Sequence, residues 1–541
     1  MRRLLISALL VGMGLTAIQA ASGAIFRGTQ GPDQLSGTAA ADELYGRAGN
    51  DTLRGRGSRD LLDGGPGRDR LAGGPGSDWL TSSGDGRADT VQCGGGRDIV
   101  NADLADIVRG DCELVSRRLS RDLDRVSDAQ HETQVEPDSY SFGSAIVTVF
   151  QSGRFLDGGA ANIGFATSRN RGQTWRSGLL PGLSSYSTPP GSSFAVSDPV
   201  IAYDAAHRWW LAASLDSDGV LLSRSRDGLT WNMPVRAARD PAGEYDKEWI
   251  ACDNWVASRF RGRCYLSYMN FAEDRIETRR STDSGLTWSA PVSVDPGPPG
   301  TNANGLQPVV RPNGDLLLVY SAFGSLPPLE NEIASARSTD GGRTFALPAR
   351  VARLRDLGSS WLRAPPFPSV DVDAAGTVYA TWSDCQQCDD DIVLARSRDG
   401  INWTEPVLVP TGVPETLLDY FLPALAVDPG TAGTKARLAL LYHSLRPPNV
   451  CDPADICLAA DVGLVTSSDG GTTWTSPQQL NAVSMPLSWL ADTALGRMLG
   501  DYVSVSWVRG RPVPVFSLAT EPVGGLFHQS IFATTRVPTA G

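Results

Sequence analysis

The chain has 541 residues, with 48 basic and 60 acidic side chains, and its formal net charge is −12. This acidic balance, with only two lysines (Lys247 and Lys435), excludes a general nucleic-acid-binding surface. The sequence contains no G-x-x-x-x-G-K-[ST] run and no G-x-S-x-G run, which excludes the P-loop nucleotide-binding and α/β-hydrolase classes.

Residues 1–20 form the first predicted element, an export signal. Arg2 and Arg3 precede an apolar stretch from Leu4 to Ala17, and small residues follow from Ala20. Cleavage after Ala20 or after Ala24 is expected, and a retained anchor is the alternative. No later stretch approaches 18 continuous apolar residues. We therefore expect a secreted protein without a membrane span once the signal is removed.

Residues 28–101 repeat every nine residues. Six consecutive units from Gly28 carry Gly at the first position, Asp at the sixth and Leu at the eighth. After an insertion near Gly84 the spacing resumes for two more units. The repeated aspartates, which we expect to bind metal, are Asp33, Asp42, Asp51, Asp60, Asp69, Asp78, Asp89 and Asp98.

The repeat combines a turn with a short strand. Glycine permits the tight turn, aspartate supplies a hard oxygen ligand, and the leucine side chain points inward. The pattern resembles the haemolysin-type (RTX) calcium-binding repeat, which implies a parallel β-roll and calcium as the cofactor. Ala40 and Gly57-Ser58 depart from the glycine pattern, so weaker binding is expected at those turns. The alternative, a flexible Gly-rich linker, is disfavoured by the strict period.

Two further segments complete the N-terminal half. A Cys93–Cys112 bridge is expected to cap the roll, which then covers residues 28–112. Residues 113–135 are charged and are predicted to be a linker.

A second motif recurs six times between residues 136 and 536. It begins at Ser168, Ser225, Ser281, Ser338, Ser397 and Ser467, and alternating apolar runs precede each copy, as in antiparallel strands. The motif resembles the Asp-box (BNR) repeat, S-x-D-x-G-x-T-W, which implies a sialidase-like β-propeller over residues 136–541. Its carboxylates are expected to be structural, because an Asp can accept hydrogen bonds from its own turn. They are Asp227, Asp283, Asp340, Asp399 and Asp469.

The predicted fold class is therefore all-β, with an N-terminal calcium-binding parallel β-roll and a C-terminal propeller. Dividing about 405 residues by a period of 57 gives about seven units, so we expect seven blades, with six as the alternative. The last unit lacks an Asp box, and we expect the N-terminal part of the domain to lend it an outer strand.

The eight cysteines fall into four near neighbours, which favours four disulfides in an exported chain. A redox or metal pair at Cys385 and Cys388 is the alternative. The expected pairs are Cys93 with Cys112, Cys252 with Cys264, Cys385 with Cys388, and Cys451 with Cys457.

Residues that enter the innermost strands of a propeller ring its axis, where ligands usually bind. Polar side chains are also expected there simply because the channel is wet. The expected ring is rich in acids and consists of Glu136, Asp198, Asp246, Lys247, Glu248, Gln307, Arg363, Asp419 and Asp501, with Tyr420 and Tyr502 beside it.

Two functions from different classes follow from these patterns. The first is an exported calcium-binding protein whose propeller binds a glycan or a protein surface. The second is an exo-acting, sialidase-like glycoside hydrolase with a tyrosine nucleophile. The resemblance to sialidases implies three arginines around the substrate carboxylate, yet only Arg363 is suitably placed, which favours the binding protein. The candidate catalytic residues of the hydrolase are Tyr420, Asp419, Tyr502, Asp501, Asp246 and Arg363.

Overall fold

The computed structural model describes residues 23–121, 126, 128–239, 244–324, 330–355, 362–385, 390–412, 419–446 and 458–537. The predicted export signal, Cys388, Cys451 and Cys457 lie outside these residues, and so does the side chain of Cys385. The described chain is almost entirely β-structure, with two single-turn 3₁₀ helices at Gly433–Lys435 and Leu487–Trp489. Within these residues, no helix has the length and apolar character needed to cross a membrane.

The N-terminal part is a parallel β-solenoid of about five turns. Its strands are β1 (Ile25–Arg27), β2 (Gln34–Ser36), β3 (Glu43–Tyr45), β4 (Thr52–Arg54), β5 (Leu61–Asp63), β6 (Arg70–Pro75), β7 (Trp79–Ser82), β8 (Thr90–Gly95), β9 (Ile99–Ala102) and β10 (Ile107–Val108). The odd-numbered strands form one parallel sheet and the even-numbered strands form the other. Successive strands of one sheet are two repeats apart, as the pairing of Ile25 with Glu43 shows.

The leucines of the repeat build the core of the solenoid. The leucine at the eighth position of a unit is buried between the two sheets, and so is Val91 at the same position of a later unit. The buried leucines are Leu44, Leu53, Leu62, Leu71 and Leu80. A nine-residue unit therefore gives one turn and one strand, with one apolar side chain directed inward.

Strand β11 (Leu114–Arg118) follows the solenoid, and the later described strands fall into seven antiparallel groups in chain order, here numbered sheets 1 to 7, some of which are joined by further pairings. Sheet 1 contains β12 (Gln130–Phe142), β13 (Ala145–Arg154), β14 (Ala160–Ser168) and β15 (Arg176–Leu179). Sheet 2 contains β16 (Val196–Asp204), β17 (Trp209–Asp216), β18 (Gly219–Ser225) and β19 (Val235–Arg239). Sheet 3 contains β20 (Tyr245–Cys252), β21 (Cys264–Asn270), β22 (Arg275–Ser281) and β23 (Val292–Val294). Sheet 4 contains β24 (Thr301–Val310), β25 (Leu316–Gly324), β26 (Glu332–Ser338) and β27 (Ala349–Arg353).

The remaining strands complete the chain. Sheet 5 contains β28 (Ser369–Val372), β29 (Val378–Cys385), β30 (Asp390–Ser397) and β31 (Val407–Leu408). Sheet 6 contains β32 (Asp419–Val427), β33 (Leu438–Arg446), β34 (Ala459–Ser467), β35 (Gln478–Gln479) and β36 (Met485–Pro486). A two-stranded ribbon of β37 (Ala491–Thr493) and β38 (Gly496–Met498) precedes sheet 7, which contains β39 (Ser504–Val508), β40 (Arg511–Val523) and β41 (Leu526–Arg536).

The first strands of the sheets are neighbours in chain order. β12 contacts β16, and the contacts continue through β20, β24, β28 and β32 to β39, which in turn contacts β12. Side chains of one first strand bind the backbone of the next. Asp138 Oδ2 accepts from the amide of Ile201 at 2.8 Å, and Asp371 Oδ2 accepts from that of Val427 at 2.7 Å.

The segment expected to be a linker takes part in the sheets. β11 pairs in parallel with β9 of the solenoid and antiparallel with β41 of sheet 7. The outer strand of sheet 7 therefore comes from residues within 113–135, N-terminal to the predicted domain boundary. The first three side chains of β11, Leu114, Val115 and Ser116, are buried, whereas the charged Arg117 and Arg118 are only partly covered.

Two of the four expected disulfides are present in the described residues. Cys93–Cys112 ties β8 to the segment before β11, and Cys252–Cys264 ties β20 to β21.

Candidate functional site

The repeated aspartates of the solenoid form two hydrogen-bonded ladders. From Asp51 onward, one carboxyl oxygen of each repeated Asp accepts from the amide of the repeated Asp one turn earlier; Asp51 Oδ1, for example, lies 2.7 Å from the amide nitrogen of Asp33. The ladders continue past the last repeat. Asp106 accepts from the amide of Asp89 at 3.0 Å, and Glu113 accepts from that of Asp98 at 3.0 Å. Sequence reasoning missed these two terminal acids because they do not follow the nine-residue spacing.

The second carboxyl oxygen is buried and has no hydrogen-bond partner at six positions. These are Asp51, Asp60, Asp69, Asp78, Asp89 and Asp98. At Asp33 and Asp42, by contrast, Oδ2 accepts from the amides of Thr29 and Thr38. The eight predicted metal ligands therefore divide into six with a free buried oxygen and two without one.

The free oxygens lie close to backbone carbonyls. A Cβ built on Gly46 would lie 2.5 Å from the carbonyl oxygen of Gly64 and 2.7 Å from Asp51 Oδ2, so only glycine leaves this space open. Buried oxygens without donors suit a hard cation such as Ca²⁺, which takes carboxylate and carbonyl ligands. Within the described residues no three acidic, histidine or cysteine side chains converge on one point, so carbonyls would have to complete the coordination.

Burial sets the charge state of these carboxyls when no cation is bound. Burial, together with the neighbouring carboxylates, raises the pKa of Asp69 and of Asp78 to about 7 and that of Asp89 to about 8. A bound cation would remove this penalty, because it favours the ionised form.

The second motif forms six box turns, defined here as the S-x-D-x-G-x-T-W turns that end the third strand of sheets 1 to 6. In the turn of sheet 3, Asp283 Oδ1 accepts from the Ser281 hydroxyl at 2.8 Å and from the amide of Thr287 at 2.9 Å. The same contacts recur at Asp227, Asp340, Asp399 and Asp469. In the first box turn the amide oxygen of Asn170 takes this place.

In five of the sheets, the first strand carries a β-bulge at the same position. Two residues there oppose one on the second strand, and the first of the two has a positive φ between 48° and 62°. The bulge pairs are Glu136-Pro137, Asp198-Pro199, Lys247-Glu248, Gly305-Leu306 and Leu422-Pro423. Non-glycine residues rarely adopt this conformation, and bulges re-aim side chains.

Three of the bulge residues, Glu136, Asp198 and Lys247, meet Arg363 and Asp501, and these five charged side chains are here called the Lys247 cluster. Lys247 Nζ pairs with Asp198, lies 2.7 Å from Asp501 Oδ2 and lies 3.7 Å from Glu136 Oε1. Arg363 Nη2 lies 2.5 Å from the same oxygen of Asp501. Glu136, Lys247 and Asp501 are no more than 5 % exposed.

The charges within the cluster nearly balance. Burial raises the pKa of Glu136 to about 7, since the repulsion by Asp198 and Asp501 adds to burial and outweighs the attraction of Lys247. Surrounding carboxylates raise the pKa of Lys247 despite its burial. With Glu136 protonated, two cations face two carboxylates. Three of the acids that were expected at the propeller mouth, Glu136, Asp198 and Asp501, pair with Lys247, and Asp501 also pairs with Arg363.

The other predicted mouth residues lie in varied places. Asp246 Oδ2 accepts from Asn304 at 3.2 Å, and Gln307 accepts from the amide of Val370 at 3.0 Å. Gln307 directly follows the bulge pair of its strand. Glu248 is buried, its carboxyl oxygens have no hydrogen-bond partner, and burial raises its pKa well above the usual value. Asp419 begins β32 and is partly buried.

The two candidate nucleophiles are both buried. The Tyr502 hydroxyl donates to the carbonyl of Pro199 at 3.1 Å, and burial raises its pKa. Tyr420 is 7 % exposed and lies edge-on to Tyr442, with ring centroids 5.8 Å apart. A cavity beside Lys247 and Tyr502 measures about 20 Å³, which is room for one water molecule.

Arg154 and Gln151 also support the Lys247 cluster and were not predicted. Gln151 donates to Glu136, and Arg154 Nη1 donates to Gln151 Oε1 at 3.3 Å. Both lie within the apolar strand β13, where the sequence carries no signal that separates them from ordinary polar residues.

Comparison with known proteins identifies the repeats. The model of the RTX calcium-binding nonapeptide repeat matches residues 27–62 and 45–80. The N-terminal region therefore consists of RTX calcium-binding repeats, as the sequence predicted. No curated protein matches the chain as a whole.

Several solved structures share part of the arrangement at low similarity. A polysaccharide lyase of family PL25, an ulvan lyase, is 11 % identical with a TM-score of 0.46, over 77 % of this chain and 100 % of that one. An α-L-arabinanase of Penicillium chrysogenum is 14 % identical with a TM-score of 0.40, over 60 % and 93 %. The NanB sialidase of Streptococcus pneumoniae is 13 % identical with a TM-score of 0.39, over 77 % and 70 %.

Proposed function

We propose that this chain is an exported calcium-binding protein whose C-terminal sheets form a glycan-binding β-propeller. The observation that carries the proposal is the row of six buried aspartate oxygens without a partner. Calcium is the cation that suits them, since it accepts carboxylate and carbonyl oxygens in flexible geometry. The disulfides and the RTX repeats are typical of extracellular proteins, which supports export.

We infer seven blades for the propeller. The support is the succession of contacts among the first strands, which runs from β12 through β39 and back to β12. Six sheets supply their own outer strand, and sheet 7 takes β11 from the N-terminal side. The pairing of β11 with β41 would close the ring of sheets.

Binding, rather than hydrolysis, suits the chemistry at the centre. A tyrosine nucleophile needs a hydroxyl that is activated by a nearby base and is open to substrate. Tyr502 instead donates to a backbone carbonyl, and its pKa is raised. Arg363 is already paired with Asp501, so no free arginine of the Lys247 cluster awaits a substrate carboxylate.

The first test measures calcium binding by isothermal titration calorimetry on the full exported chain. We expect several ions to bind with dissociation constants of roughly 10⁻⁴–10⁻³ M, as in other extracellular sites. A titration that shows no calcium binding would contradict the proposed function.

The second test separates binding from hydrolysis. A glycan array in calcium buffer is expected to show retained glycans, whereas fluorogenic sialosides and neutral glycosides are expected to stay intact. Turnover that disappears in Tyr420→Phe or Tyr502→Phe would instead establish the hydrolase.

A further inference from the structure

Each box turn packs against a neighbouring sheet, which is the preceding sheet in the chain for sheets 2 to 6 and sheet 7 for the turn of sheet 1. The Thr167 hydroxyl of sheet 1 donates to the carbonyl of Gly228 in the box turn of sheet 2. Ser335 of sheet 4 donates to Gly400 of the sheet 5 turn at 3.2 Å. The box turn of sheet 1 follows the same rule, since a Cβ on Gly172 would lie 3.9 Å from Thr535 of sheet 7.

Sheet 6 is the exception among the described residues. The sequence contains six box motifs, and none follows β41 up to Val537, so no box turn covers sheet 6 from the side of sheet 7. A cavity of about 240 Å³ lies in that position. Its walls include Arg437, Thr466, Ser468, Trp474, Trp507 and Pro512.

Two residues of this cavity match residues that bind a box turn elsewhere. Arg437 precedes the second strand of sheet 6 just as Arg263 precedes that of sheet 3, and each carbonyl accepts from the equivalent aspartate amide. Arg263 Nη1 donates to the carbonyl of Gly341 in the next box turn at 2.6 Å. Arg437 has no such turn beside it; its guanidinium pairs with Asp428 and lies 5.7 Å from the ring centroid of Trp507.

Thr466 occupies the position of Thr167, at the end of the third strand and directly before the box serine. In sheet 1 that hydroxyl binds a carbonyl of the next turn, whereas in sheet 6 Thr466 lines the cavity and its hydroxyl makes only a long contact, 3.5 Å, with the hydroxyl of Thr475, which also lines it. Arg437 and Thr466 therefore bring to the cavity the same hydrogen-bond donors that bind a box-turn carbonyl in sheets 3 and 1.

We propose that this cavity, between sheets 6 and 7, binds one pyranose ring of the glycan. The assignment rests on the proposed glycan-binding function and places its site on the box-turn side, away from the Lys247 cluster. A sugar offers hydroxyl oxygens to Arg437 and Thr466, and its C–H face suits the indoles of Trp474 and Trp507. The indole N–H of Trp507 already donates to Ala426 at 3.0 Å, so this ring contributes apolar surface.

The experiment fills the cavity by substituting a wall residue in the full chain. The affinity for simple sugars is then measured by tryptophan fluorescence. The probes are methyl glycosides of glucose, galactose, mannose, fucose and N-acetylglucosamine in calcium buffer. Ser468 is exposed on the cavity wall, so Ser468→Phe adds bulk there without changing a buried contact. Thr282→Phe is the matched control, because Thr282 is the equivalent exposed residue of the sheet 3 turn.

We expect at least one methyl glycoside to bind in the millimolar range. Its affinity should fall roughly tenfold or more, about 1.4 kcal/mol, in Ser468→Phe and remain unchanged in Thr282→Phe. A second pair uses Arg437→Lys, expected to weaken binding, and Arg263→Lys, expected to leave it unchanged. Circular dichroism melting curves check that all four variants are folded.

Equal affinity in Ser468→Phe and the unaltered protein, or equal loss in the control, would overturn the assignment. If glycan-array binding survives Ser468→Phe, the proposed glycan-binding function stands and only this cavity is excluded. If neither the array nor any methyl glycoside gives binding, the proposed function fails together with the site.

Discussion

Asp340 and Asp78 carry the same side chain in opposite surroundings. At Asp340, burial is outweighed by hydrogen bonds from the Thr344 hydroxyl and amide, which lower its pKa to about 2. At Asp78, burial prevails and raises the pKa to about 7. Hydrogen bonds alone therefore stabilise the charged form of the box aspartates, whereas the ladder aspartates lack enough donors, and a bound cation would favour their charged form.

Removal of a box carboxylate tests its structural role. Asp283→Ala deletes the acceptor for the Ser281 hydroxyl and for Thr287, whose amide and hydroxyl lie 2.9 and 2.6 Å from the carboxylate. We expect the free energy of unfolding to fall by about 1–3 kcal/mol, measured by chemical denaturation. Asp157→Ala, at an exposed loop position, is the control. Glycan binding should persist in the folded fraction, and its selective loss would contradict a structural role.

The box aspartates also predict a response to acid. The pKa values of Asp340 and Asp469 are lowered from 3.8 to about 2, so the folded chain holds these protons more weakly than the unfolded chain. Their stabilisation is complete above the unfolded pKa and is lost as the pH falls towards 2. The double variant Asp340→Asn/Asp469→Asn should be less stable at neutral pH, and its deficit should shrink as the pH falls from about 4 to 2. A deficit that stays constant over this range would exclude the linkage.

At the scale of elements, the ladder can be altered without breaking its hydrogen bonds. Asp60→Asn keeps the oxygen that accepts from the amide of Asp42 but removes the charge. We expect fewer bound calcium ions, or weaker binding, in equilibrium dialysis of the full chain. Asp340→Asn, which changes a carboxylate outside the solenoid, should bind calcium like the unaltered protein. Unchanged binding in Asp60→Asn would contradict the ligand assignment.

Strand β11 gives a second test at this scale. Ser116 lies in the middle of the strand, which has a neighbour on each side. Proline there removes an amide donor from the ladder, and proline is tolerated only at sheet edges or bulges. Ser116→Pro should therefore lower the melting temperature far more than Ser116→Ala, which removes the contacts of the hydroxyl with Thr534 Oγ1 at 2.9 Å and with the carbonyl of Leu480 at 3.5 Å but keeps the amide. Similar melting temperatures would mean that the pairing contributes little.

The elements that the sequence predicts well are those whose pattern is local. The nine-residue spacing places the leucines and aspartates of the solenoid, and the box motif places each turn, because neighbouring residues in the chain make these contacts. β11 was missed because its charged sequence lacks a clear alternation and its partner β41 lies more than 400 residues later.

The Lys247 cluster shows the same limit at the candidate site. Its members were selected as residues that enter the inner strands, but their mutual pairing was not foreseen. The positive φ at Glu136, Asp198 and Lys247 directs them together, and adjacent prolines at two of these positions were the available signal. Sequence spacing cannot show that Lys247 meets Asp501, since that contact depends on how all intervening sheets pack.

At the scale of the whole molecule, the solenoid and the last sheet are one continuous β-structure. One solenoid sheet runs through β9 into β11, and from there into β41, β40 and β39. A ligand that binds only the folded state stabilises it by about 2.7 kcal/mol at a concentration 100 times its dissociation constant. Calcium bound in the solenoid should therefore stabilise the sheets as well.

This coupling predicts that chelation lowers the melting temperature of the C-terminal sheets. Tryptophan fluorescence reports on them, because all 14 tryptophans except Trp79 lie beyond the solenoid. Removal of calcium with EGTA should lower the melting temperature seen by this probe, and Ser116→Pro should reduce the shift. If the melting temperature is the same with and without calcium, the solenoid and the C-terminal sheets unfold independently.

The Lys247 cluster has a consequence for the order of events during synthesis on the ribosome. Lys247 and its partners Glu136 and Asp198 emerge early, whereas Asp501 follows Lys247 only after another 254 residues (501 − 247). Until Asp501 has been synthesised, the Lys247 cluster lacks this carboxylate, and water can still solvate the side chains already present. The five-residue cluster is therefore complete only after Asp501, which directly precedes sheet 7, has been synthesised, and we expect the inner strands to close around Lys247 late in folding.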